Sequence, residues 1–365
     1  MYSVDVTKDL LLIYNTNSPA SITIVNYYLQ NRPMVGGGNV LGVGCATNEA
    51  CLPNDFTNNF MAPVKAWLAA NPTKRPQYVI LFPDVPSIEF TNNIPGDYPW
   101  NLPQPVTRWP SVQRQLSGGL IASWSPFVSS INMNGYGGTN DCIAYINKLV
   151  YFETNYSAGK LIISAKAGAY GNTNYVIDNI RFDAPGYPIY QDFSSDGFIV
   201  SAATNSLYSA GVSTNQVLYS DGLEIYTNGA VQALPHPTGI SNVAGYITWG
   251  QHSSLGGDYP FNGEVQWLGH SSWWLIRTEE SFNGERYATG QGIFLKWYSS
   301  NAFGGTNYSN TPVGGVSYTD EPTASATDNS IYFGLWAAGK TLAICAWNST
   351  PSPYIQTVGD PFITK

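Results

Sequence analysis

Charge is what this sequence has least of. Charged residues make up 11% of the 365-residue chain, 16 Lys and Arg against 24 Asp and Glu, where globular domains carry about a quarter. The formal charge is −8 with an isoelectric point near 4.8. No basic run occurs, which argues against a surface that tracks nucleic-acid phosphates. No apolar stretch nears the roughly eighteen residues of a membrane span. No leader pattern is visible either, since Met1-Tyr2-Ser3 runs almost directly into a strand-like segment.

Reactive side chains are equally scarce. Four cysteines cannot staple a chain of this length, and there are three histidines. The strand-to-helix elbow G-x-S-x-G of serine hydrolases is missing, as is the zinc signature H-E-x-x-H. Gly36-Gly37-Gly38 precedes a strand and lacks the G-x-x-x-x-G-K pattern, so it reads as a turn and not a phosphate loop. Cys45 and Cys51, six apart in CATNEAC, are expected to form a disulfide. Cys142 and Cys345 lie in apolar helical patterns and read as buried free thiols.

What replaces charge is neutral polarity: Asn, Ser and Thr, with 36 Gly and 25 Tyr. Such a surface suggests a secreted or cell-surface protein. Hydrophobic content of 43% supports a sizeable core. Strand-like runs at Leu10–Tyr14, Asn39–Val43, Tyr78–Phe82, Lys160–Ser164, Gln216–Tyr219, Gly245–Trp249, Trp273–Ile276, Val313–Tyr318 and Tyr354–Val358 alternate with helical stretches. The helices are expected after the Ser18-Pro19 cap, over Asp55–Ala70 and from Thr139 to Glu153, then at Tyr175–Phe182, Gly197–Ala210, Gly290–Tyr298 and Ile331–Trp347. This alternation predicts an α/β fold, a mostly parallel central sheet flanked by helices, in one compact domain over 1–365. A proline-rich insertion at about 83–115 interrupts it.

Ligands of parallel sheets gather beyond the carboxyl ends of strands. That rule nominates His252 as a general base, with Asp320 and Glu321 as its acids. Ser253, Asp258, His270, Glu279 and Asp84 are candidate binding residues around them. Glu279 and Glu280 are neighbours, so at most one reaches the site. A metal centre from His252, Asp258, His270 and Asp320 or Glu321 lacks any supporting spacing, and no metal is expected; the cofactor requirement stays open.

The segments LLLIYNTNSPASITIVNYYLQNR, YVILFPDVPSIEF, GYITWGQHSS, VSYTDEP and YIQTVGDPF together resemble an uncharacterised family of bacterial exported proteins. The similarity runs from Leu10 to Phe362. That family is distantly similar to the caspase-like, gingipain-type cysteine peptidases of clan CD. The resemblance implies a caspase/gingipain-like three-layer sandwich with loop insertions, in which His252 takes the histidine position and Ser253 stands where glycine is usual. The cysteine should end Val313–Tyr318 or the strand before it, and neither carries one. The resemblance implies a hydrolase or degenerate peptidase homologue with a His/acid site; the aromatic, weakly charged composition offers instead a non-catalytic self-assembling surface or filament protein, or a carbohydrate binder stacking sugars on Trp100, Trp109, Trp124 or Trp267. The expected partners are accordingly a second copy of the chain or an extracellular peptide or glycan.

Overall fold

Leu10–Asn15 (β1) is buried almost throughout. The computed structural model explains why: Leu10 and Leu12 belong to one apolar cluster, Leu11 and Ile13 to another. A strand covered on both faces has no polar alternation to show. The structure describes residues 4–35, 39–89, 109–118, 124–156, 163–164, 172–184, 187–189, 200–220, 238–251, 265–269, 271–286, 291–322 and 325–365.

Ser18 caps Pro19–Asn31 (α1), its hydroxyl accepting from Ser21 N, with proline in the first turn as expected. The α1 stripe Ile24, Val25 and Tyr28 packs on the Leu10 side. Asn39–Val43 (β2) runs parallel to β1. A helical segment follows, Pro53–Asp55, a π turn at Phe56–Met61 and then Ala62–Ala70 (α2). Phe60, Val64 and Leu68 cover the Leu11 side. Tyr78–Leu81 (β3), Val112–Ser117 (α3), Phe127–Ser130 (β4) and Thr139–Tyr156 (α4) complete the first half.

The second half contains Asn174–Ala184 (β5), Val200–Ser209 (α5), Val217–Ser220 (β6), Val243–Gln251 (β7) and Leu275–Thr278 (β8). Phe294–Trp297 (α6), Gly314–Tyr318 (β9), Asn329–Ala337 (α7), Leu342–Ser349 (α8) and Ile355–Gly359 (β10) close it. The strands form one sheet in the order β6-β5-β7-β8-β9-β10-β4-β3-β1-β2, with Tyr187–Ile189 added beside β5 as an eleventh strand. Helices flank it in a three-layer α/β arrangement.

Along that path every neighbouring pair is parallel except β9 with β10. The five strands from β6 to β9 therefore point one way and the five from β10 to β2 the other. Their carboxyl ends emerge at opposite ends of the sheet. At the seam, β10 meets β4 at a single register pair, Val358 with Ser130. Next to it α3 stands in for a strand. Gln113 Nε2 donates to Thr357 O at 2.9 Å and Thr357 N donates to Gln113 Oε1 at 2.8 Å. Ser111 Oγ donates to Ile355 O at 2.6 Å. Buried backbone groups need partners, and side chains supply them here.

A buried ion network ties the seam to the first half. Arg32 Nε donates to both Glu153 oxygens at 3.1 Å, and its Nη1 pairs with Asp360 just past β10. Tyr28 OH donates to the same Asp360 carboxylate at 2.6 Å.

Four expectations change. Tyr175–Phe182 is not a helix but lies within β5, where Val176 and Ile177 are buried in register with β6 and β7. Ile331–Trp347 is two helices: Gly339 (φ 75°) ends α7, Lys340 N donates to Leu335 O at 2.9 Å, and Thr341 caps α8. The strand β4 had no sequence signal, because its Ser129 and Ser130 are polar yet buried. The Cys45–Cys51 disulfide is absent. Both thiols are free and buried, each packed in the apolar cluster against β1, and Cys51 Sγ instead donates to Ile88 O at 3.5 Å. Cys142 and Cys345 are buried free thiols as expected. Gly36–Gly38 and residues 90–108 of the insertion lie outside the described residues.

Candidate functional site

Midway along β7, Tyr246 OH donates to Asp178 Oδ2 at 2.6 Å, and Thr248 Oγ1 stands 3.5 Å from the same oxygen. Gly250 follows with φ 76°, a conformation only glycine adopts readily. Its missing side chain matters twice, since a Cβ there would sit 2.4 Å from Glu280 Oε2. The strand ends at Gln251, so His252 is the first residue beyond it. His252, Ser253, Asp258 and His270 themselves lie outside the described residues.

The end of β8 is a closed polar knot. Asn283 Nδ2 donates to Thr278 Oγ1 and, at 2.9 Å, to Glu280 Oε2. Ser317 Oγ donates to Asn283 Oδ1, and Gly292 N donates to Glu280 Oε1. Glu279 turns the other way, accepting from Arg277 Nη2 at 3.1 Å and from Asn329 Nδ2 at 2.6 Å. The two glutamates, just past the end of β8, thus engage different partners. Arg277 is fully buried; desolvation pulls its pKa down, but Glu279 and Tyr318 outweigh that and hold it raised. Asp320 and Glu321 follow β9 at this same end of the sheet, half-buried and exposed, with Asp320 Oδ1 accepting from Glu321 N at 2.8 Å.

Asp84 belongs elsewhere. It follows β3, whose carboxyl end points away from those of β7, β8 and β9. There it sits at φ 60° and accepts from Ser18 Oγ at 2.5 Å and from Arg286 Nη1 at 2.9 Å. The chain after β8 doubles back to make this contact: Gly284 N donates to Tyr318 O, and two residues later Arg286 reaches Asp84 and Asn134 O. Arg286 N also donates to Glu49 Oε2 at 2.7 Å, while Ser87 Oγ donates to Oε1 at 2.9 Å. Ser18, Glu49 and Arg286 were not foreseen. In so weakly charged a chain, an isolated Glu in CATNEAC and the Glu285-Arg286 pair in the segment after β8 were the available signal.

Burial pushes the Glu49 carboxyl up from 4.5 to about 7, with Arg286 and Ser87 partly opposing it. The folded state therefore binds this proton more tightly than the unfolded chain. Its contribution to stability is full below pH 4.5 and is lost as pH rises through about 7. Glu49→Gln should flatten that slope, worth roughly 3 kcal/mol across the window. Urea midpoints measured through the window test it, and an unchanged slope in the variant would assign the pH dependence to other groups.

Among the described residues no group of three or more His, Cys, Asp or Glu is arranged to hold a metal ion. All four thiols are far from activation: desolvation pushes Cys45 and Cys142 up to about 12 and raises Cys51 and Cys345 further. Of the tryptophans considered for sugar stacking, Trp124 donates to Pro76 O at 2.8 Å and is buried. Trp267 is buried in a cluster with Tyr246, Trp274 and Phe303. Trp109 is exposed, and Trp100 lies outside the described residues.

Comparison of the chain with protein-family models, curated proteins and solved structures returned no match.

Proposed function

We propose that the chain is an exported or cell-surface, caspase-like α/β protein that has no thiol nucleophile. In this reading it is a degenerate peptidase homologue that binds through the loop carrying His252. One observation carries the reading: no cysteine stands at the end of β8 or β9. Thr278, Asn283, Glu280 and Ser317 occupy that ground in a mutually satisfied network. A catalytic cysteine is a thiolate in an electropositive, accessible setting, whereas each thiol here is buried and raised. The partner class this supports is an extended extracellular peptide, held near His252, Asp320 and Glu321 without being cleaved.

The test is thiol chemistry joined to turnover. The native protein should resist iodoacetamide and label at all four cysteines only in denaturant. A peptide library should show no hydrolysis with either wild type or His252→Ala. Cleavage by the native protein that His252→Ala abolishes would sink the degenerate reading and restore a hydrolase.

Self-association is the second reading. Tyr136, Tyr151 and Trp109 are exposed by 64%, 53% and 46%, in a chain with little charge to keep copies apart. Light scattering should then report particles larger than a monomer, and a monomeric profile would remove this alternative.

A further inference from the structure

A cavity of about 360 Å³ opens between α4 and the loop that precedes β9. Its volume lies in the usual range for small-ligand sites, roughly 300–1,000 Å³. Lys148, Asn140, Asn147 and Asn307 line it, together with Ile143 and Tyr308. It belongs to neither polar cluster described above.

The lining is unusually rich in donors. Lys148 Nζ donates to Thr311 O at 2.5 Å and to Thr311 Oγ1 at 2.6 Å. Neither acceptor carries charge, and among the described residues no carboxylate pairs with this lysine. An ammonium held by neutral oxygens has one N–H still to satisfy and a charge still to balance. Asn147 uses its carbonyl oxygen to accept from Tyr27 OH at 2.6 Å, which leaves its amide hydrogens uncommitted. The nearby Asp141 is turned away: it accepts from Tyr308 OH at 2.9 Å and from Gly137 N at 2.8 Å.

The opposite wall is strained. Asn307 and Tyr308 are consecutive residues in the left-handed region, at φ 51° and 64°. A bulky aromatic rarely adopts that conformation, and such outliers cluster where a ligand is gripped. Tyr308 is held there from both ends, by its hydroxyl on Asp141 and by its N–H on Ser300 O at 2.9 Å.

We propose that this cavity binds a small organic carboxylate, whose oxygens take the charge of Lys148 and the amide hydrogens of Asn140, Asn147 and Asn307, while its apolar body rests on Ile143. The inference does not depend on the peptidase-like reading. Among the described residues, the titratable groups that face the cavity or back it are Lys148, Tyr308 and Asp141 on α4 and the 307–308 turn, and Tyr27 on α1. Desolvation lowers Lys148 to about 7, and desolvation followed by the Asp141 bond raises Tyr308 to about 12. That places the charge change of Lys148 near neutrality, with the cation on the acid side.

Isothermal titration of the full chain with benzoate and glucuronate tests the site, with benzyl alcohol and glucose as uncharged counterparts. At least one carboxylate should bind in the micromolar-to-millimolar range while its neutral counterpart does not. Affinity should fall as pH rises from about 6 to about 9, because a neutral lysine cannot balance the carboxylate. Lys148→Met should weaken binding by about tenfold or more, and the exposed Lys65→Met should not change it. Asn307→Gly suits the left-handed backbone, so it keeps the fold while removing one amide; it should weaken binding severalfold and decides the matter if Lys148→Met does not fold. Neutral counterparts binding as well as the acids, no binding by either carboxylate, or Asn307→Gly binding like wild type would each overturn the proposal.

Discussion

Arg32→Met is expected to destabilise the protein by about 3–5 kcal/mol. The guanidinium is fully buried between Glu153 and Asp360, and the same Asp360 accepts from Tyr28 OH. Methionine fills much of the volume but leaves two carboxylates facing each other without a cation. Such loss exceeds the worth of the pair itself, because the orphaned charges keep their desolvation cost. Urea unfolding at neutral pH measures it. A loss under about 1 kcal/mol would mean that the network is open to water. Adding Glu153→Gln to Arg32→Met should recover part of the loss by removing one orphaned charge, which a purely steric effect would not do.

The second large effect is at Gly250. Gly250→Ala should cost about 2–5 kcal/mol, combining the left-handed backbone with overpacking. The new methyl would stand 2.4 Å from Glu280 Oε2, a carboxylate already pinned by Asn283 and the Gly292 amide. Either the fold weakens or Glu280 is expelled and the chain leading to His252 shifts with it. Thermal unfolding reads the first outcome. A variant as stable as wild type with an unchanged tryptophan spectrum would show that Glu280 has room to move. Glu280→Ala should itself destabilise by orphaning the Asn283 and Gly292 donors, and adding Gly250→Ala to it should then cost less than Gly250→Ala does in the wild type, because only the left-handed backbone penalty remains.

The local layers of this fold were legible. The Ser18-Pro19 cap, the doubly buried β1 run and the strand that ends just before His252 follow from propensity and pattern alone. What the pattern could not carry was long-range order. Nothing in a string of strand-like runs says that β10 enters between β9 and β4, and its insertion is what sends Asp84 to the opposite end of the sheet from Glu279, Asp320 and Glu321. Treating all strand ends as one neighbourhood was therefore too generous. The ionic staple was hidden for a similar reason, because Arg32 lies 121 positions from Glu153 and 328 from Asp360. The disulfide expectation rested on proximity along the chain, and proximity does not decide whether two thiols point at each other or into an apolar core. The strand β5 was misread because its buried residues look alike under a period of 2 or of 3.6 when both faces are covered.

The place of β10 has a consequence for how the chain is made. It is the last strand of the sheet to be synthesised, and it fills the middle. Without Ile355–Gly359 the sheet divides into two parallel halves, each left with an unpaired edge, β9 on one side and β4 on the other. Exposed edges of that kind invite pairing with other chains. Joining the two halves thus requires this strand, and Asp360, the residue immediately after it, pairs with Arg32 of the first half.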